Sequence, residues 1–222
     1  MKAWRYLGAV AAITVAMTGC AAQTDDDGES QGADLVQQKT ILALGDSVAF
    51  AWDPVAPLTN GKVVASNYKG YADLLGERMG LSVENSACPG EASGSFLDAK
   101  ADDNGCRKNR ASYEMHASWG NARTQMERTV ASLQKSIAEG NPPELITLSI
   151  GGNDLLLLQK ACDGWWGPTK SACLLGKLPF AEHAYGEHLE TIIKTSDDTG
   201  YRGTLAIVTT HAPDYSDQIA NL

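Results

Sequence analysis

Basic charge, close cysteine pairs and long apolar runs are all scarce in this 222-residue chain. Lysine and arginine number 18 against 27 acidic residues, and the resulting charge of −9 excludes a general affinity for nucleic-acid phosphates or anionic membrane surfaces. No C-x-x-C pair occurs and no histidine stands at ligand spacing beside a cysteine, so neither a structural nor a catalytic metal site is indicated. A membrane-spanning helix needs roughly 20 apolar residues. The N-terminal apolar stretch, Tyr6 to Thr18, has thirteen. What remains is ordinary globular composition, 43% hydrophobic and 20% charged, at a length that suits one domain.

Lys2 and Arg5 precede that short apolar stretch, which is the pattern of a secretion signal over residues 1–19. The stretch closes on "MTGC", small residues directly before Cys20, and this resembles the bacterial lipobox, in which the cysteine becomes the acylated N-terminus. Acyl chains on Cys20 would anchor the protein to a membrane, each buried methylene contributing about 0.8 kcal/mol. Residues 20–39 then read as a flexible acidic tether, since "AAQTDDDGESQGADLVQQ" holds too little apolar surface to offset its ordering entropy. Cys88, Cys106, Cys162 and Cys173 are even in number and lie in an exported chain, which points to disulfides. Of the three pairings that four cysteines permit, the sequence-local one is favoured, Cys88 with Cys106 and Cys162 with Cys173.

Short apolar runs bounded by Gly, Asn or Pro predict strands at Ile41 to Leu44, Leu81 to Glu84, Leu145 to Ile150 and Leu205 to Thr209. Helical patterns lie between them. "YKGYADLLGERMG" presents Tyr71, Leu74, Leu75 and Met79, "RTQMERTVASLQKSIAEG" presents Met126, Val130, Leu133 and Ile137, and a third helix is expected across "FAEHAYGEHLETIIKTS". Strand and helix in alternation predict an α/β fold, a parallel sheet covered by helices on both faces. Ligands of such sheets bind beyond the carboxyl ends of the strands. Three loops reach that edge: "GDSV" with Ser47, "ACPGEAS" with Gly90 and "GGND" with Asn153.

These three blocks, in this order, resemble the SGNH (GDSL-type) hydrolases, with Val48 standing where the family name has Leu. The resemblance runs from Thr40 to the last residue, making 40–222 the hydrolase domain. It implies a flavodoxin-like three-layer α/β/α sandwich and an open site for esters. It also implies Ser47 as nucleophile, with Ser47, Gly90 and Asn153 as the oxyanion hole. Backbone N–H groups of Ser47 and Gly90 and the side-chain amide of Asn153 are suitable donors for the oxyanion of acyl transfer. The α/β-hydrolase elbow is a different device, and its G-x-S-x-G pentapeptide does not surround Ser47.

The family takes its base from a D-x-x-H block near the end of the domain, and no D-x-x-H occurs in this sequence. His116, expected to open a helix, and His183 and His188, expected on a later one, read as solvated surface residues. His211 lies just past the fourth predicted strand, on the same edge as Ser47, and is the candidate base; it otherwise borders the cleft. The expected fifth strand and last helix are also missing, so the domain reads as C-terminally incomplete. Trp165 and Trp166 fall in a loop that Cys162 and Cys173 would close, where they contact an acyl chain or sugar, or pack under the loop.

The expected protein is a monomeric, exported, lipid-anchored serine hydrolase of carboxylic esters, needing no metal or organic cofactor and binding no nucleic acid. Its substrates would be lipid, short-chain acyl or acetyl-carbohydrate esters, and a thioesterase or lysophospholipase falls in the same reading. The rival expectation is an inactive surface lipoprotein that binds lipid or carbohydrate in the same cleft.

Overall fold

The computed structural model describes residues 38–164 and 167–208. Cys20 with the signal and tether, Trp165, Trp166 and His211 lie outside the described residues. In chain order the elements are β1 Thr40–Gly45, α1 Ser47–Phe50, α2 Tyr71–Met79, β2 Ser82–Asn85, α3 Ser93–Leu97, α4 Cys106–Ser112, α5 Gln125–Ala138, β3 Leu145–Ser149, α6 Gly152–Ala161, α7 Pro168–Asp198 and β4 Thr204–Ile207. All four strands pair in parallel in the order β2-β1-β3-β4. That is an α/β fold with a helix-flanked parallel sheet, and its order agrees with the flavodoxin-like arrangement through the fourth strand.

The central strands are buried on both sides, as continuous apolar runs in a parallel sheet must be. Leu42 and Leu44 of β1 join Ile146 and Leu148 of β3 in the larger core, which α3, α5 and α7 cover with Phe96, Met126, Leu133 and Ile192. A second cluster gathers Ala49 and Phe50 of α1 with Val63, Tyr68 and Ala87. Trp52 is stacked between Tyr68 and Tyr113 at its border, at centroid distances of 5.4 and 5.2 Å.

Three helix expectations are corrected. In α2, Leu74 and Met79 point to solvent, while Ala72 and Gly76 meet the sheet. The helix lies so close that a Cβ on Gly76 would stand 2.5 Å from Val83 Cγ2, and only small residues fit that face. The third helix begins far earlier than expected, since α7 runs for 31 residues and takes in Cys173 and the segment read as loop. Pro179 inside it removes one backbone donor, which a long helix tolerates where that side faces solvent. His116 opens no helix. It sits in a bend, half-buried, with Nε2 donating to the Phe50 carbonyl at 3.0 Å and its ring edge-on to Phe50.

Both local disulfides are present, Cys88–Cys106 and Cys162–Cys173, with Cα separations of 5.5 and 6.0 Å. Among the described residues no helix is long and apolar enough to cross a membrane.

Candidate active site

Ser47 is the first residue of α1, two residues past the Gly45 end of β1. Two backbone bonds join that end to its neighbours: Cys88 N–H donates to the Gly45 carbonyl and Asp46 N–H to the Ser149 carbonyl, each at 2.9 Å. The loops after β2 and β3 are therefore drawn to the same strand end. Asp46 caps α1 by accepting the Val48 N–H at 3.0 Å. Burial raises its pKa from 3.8 to about 6, with the nearby Asp154 charge adding to the shift and the Val48 hydrogen bond opposing it.

Gly90 lies in the turn after β2 with φ +90°, a conformation glycine adopts freely. A Cβ there would stand 2.5 Å from the Asn104 carbonyl oxygen, so close approach also requires glycine. Asn104 bridges the two remaining predicted residues. Its N–H donates to the Gly90 carbonyl at 2.8 Å and its Nδ2 to Asn153 Oδ1 at 3.0 Å. Asn153, buried in the first turn of α6, donates through its own Nδ2 to the Glu91 carbonyl at 2.8 Å. An amide Nδ2 carries two hydrogens. One serves Glu91; among the described residues the other has no hydrogen bond.

The same holds for the Ser47 and Gly90 backbone N–H groups and for Ser47 Oγ, none of which is hydrogen-bonded among the described residues. Three donors at the ends of three successive strands thus have no partner among the described residues, an arrangement suited to a developing oxyanion.

A buried polar layer supports them from below. Gln125, at the start of α5, accepts from Gly45 N–H and donates to the Gly45 carbonyl. Its Nε2 also reaches Glu91 Oε2 at 3.3 Å. Glu91 hydrogen-bonds Ser95, forms no ion pair among the described residues, and its burial raises the pKa from 4.5 to about 7. Cys88, Glu91 and Cys106 are close enough to hold a metal ion, but both sulfurs are joined in the disulfide and offer no thiolate.

None of the described histidines hydrogen-bonds Ser47. His116 is tied to Phe50, His183 forms an exposed pair with Glu187 at 3.4 Å, and His188 meets Ser93. His188 departs from its expected place on a solvated face, being half-buried between α7 and α3. Gln125, Asn104, Ser93 and Asp154 were not singled out by sequence reasoning. The available signal was a polar residue inside or beside an otherwise recognised segment: Asp154 in "GGND", Ser93 in "ACPGEAS" and Gln125 before the apolar face of α5.

No family model, curated protein or solved structure matches this chain.

Proposed function

We propose that this chain is an exported serine hydrolase of carboxylic esters, an SGNH-type enzyme anchored through an acylated Cys20. Ser47 Oγ attacks the acyl carbonyl carbon, and the carbonyl oxygen becomes an oxyanion received by the Ser47 and Gly90 N–H groups and the second Asn153 amide hydrogen. The alcohol leaves with a proton, and water then cleaves the acyl-enzyme to free acid and Ser47. The observation that carries the reading is the set of donors and the serine hydroxyl, all at one sheet edge, that have no hydrogen bond among the described residues. Two disulfides in the fold accord with an oxidising compartment outside the cytoplasm. The proton of Ser47 goes to a residue outside the described ones, for which His211 is this sequence's candidate.

A fluorophosphonate probe tests this directly. Labelling should map to Ser47 and vanish in Ser47→Ala, and Asn153→Ala should lower kcat for p-nitrophenyl esters about a hundredfold with little change in KM. Labelling elsewhere, or none, would leave the cleft as a lipid- or carbohydrate-binding surface.

A further inference from the structure

Beside the proposed oxyanion donors, Ser93 joins three helices. Its Oγ lies 2.5 Å from Asp154 Oδ1 and 2.9 Å from His188 Nδ1, and its N–H donates to both Asp154 oxygens at 3.2 and 3.0 Å. Ser93 is fully buried, so these partners are the protein's own. A hydroxyl has one hydrogen to give. The shorter contact, to a carboxylate oxygen, takes it. Ser93 Oγ must then accept from His188, which places a hydrogen on Nδ1, and Nε2 has no hydrogen bond among the described residues.

Asp154 directly follows Asn153, and Ser93 stands three residues after Gly90. The relay therefore clamps the segment carrying one donor to the segment carrying another, with α7 closing it. We propose that Asp154, Ser93 and His188 form a positioning relay that holds the Gly90 and Asn153 donors in register and keeps His188 as its Nδ1–H tautomer. None of the three is asked to touch substrate. The proposal rests on the reading of Gly90 and Asn153 as oxyanion donors, but its geometry can be tested apart from activity.

The experiment is heteronuclear NMR on the ¹⁵N-labelled 222-residue chain, paired with fluorophosphonate labelling. Above the titration range of the ring, His188 should show the Nδ1–H tautomer. Ser93→Ala should abolish that preference and move the Gly90 backbone amide and Asn153 side-chain amide resonances. An Nε2–H tautomer in the native chain, or Gly90 and Asn153 resonances unmoved in Ser93→Ala, would overturn the relay. His188→Asn, which keeps a donor near the Nδ1 position, should leave both resonances in place, whereas His188→Ala should move them. If Ser47 labels, Ser93→Ala should slow labelling about tenfold at unchanged probe affinity, as small misplacements of reacting groups do. If Ser47 does not label while the tautomer and resonance shifts are as stated, the relay stands and the esterase reading falls.

Discussion

The side chain of Gln125 treats Gly45 as a strand partner: Nε2 donates to the Gly45 carbonyl at 2.9 Å and Oε1 accepts the Gly45 N–H. Gly45 is the last residue of β1 and Ser47 follows two positions later, so a helix 80 residues downstream sets where the proposed nucleophile stands. Gln125 is fully buried.

Gln125→Met keeps the volume and removes both bonds, leaving the buried Gly45 N–H unpaired while the Gly45 carbonyl keeps the Cys88 N–H. Such a group costs about 1–3 kcal/mol. Urea unfolding should show a loss of about that size, with ester hydrolysis falling more steeply than the folded fraction because the β1 end relaxes.

Gly90→Ala should fail for a different reason. The added methyl meets the Asn104 carbonyl at 2.5 Å, in a left-handed backbone conformation that alanine disfavours by about 1–2 kcal/mol. The loop must shift, taking the Gly90 N–H with it. Activity should drop at least tenfold in kcat while far-UV circular dichroism stays native, and full activity would remove Gly90 from the site.

The pH dependence of stability follows from Asp46 and Glu91, whose pKa values burial raises from 3.8 to about 6 and from 4.5 to about 7. The folded state binds more protons than the unfolded chain between about pH 4 and 7, so their contribution is fully present below pH 4 and is lost as pH rises through 7. Denaturant unfolding under non-reducing conditions should give greater stability at pH 5 than at pH 8. Glu91→Gln should flatten that slope and raise stability at pH 8 by an amount on the order of 3 kcal/mol. A slope of the opposite sign would mean that both carboxyls are paired in the folded protein.

The base can be located by substitution. No imidazole among the described residues hydrogen-bonds Ser47, so with His211 as the base p-nitrophenyl acetate hydrolysis should fall by up to about a million-fold in His211→Ala, as in a serine triad that loses its histidine. An unchanged rate in His211→Ala would rule His211 out as the base.

Much of this fold is legible in the order of residues. β1 and β3 are short continuous apolar runs ending on Gly45 and Ser149, a pattern that only a strand buried on both faces explains, and the loops behind β1, β2 and β3 carry Ser47, Gly90 and Asn153 within a few residues of the strand ends. Parallel topology does the rest, because it sends all such loops to one edge. Both disulfides are local enough to be favoured from spacing. Helix faces were less legible where the sheet comes close: Ala72 and Gly76 of α2 are inside because of their small size, and apolar periodicity scores size the other way. The placement of polar side chains was decided by tertiary structure alone. Gln125 on Gly45, Asn104 across Gly90 and Asn153, and His188 on Ser93 are contacts between residues 14 to 95 positions apart. Hydrogen-bond partners at such separations leave no periodic mark on the chain; they exist only once packing has buried both groups and removed the water that would otherwise serve each of them.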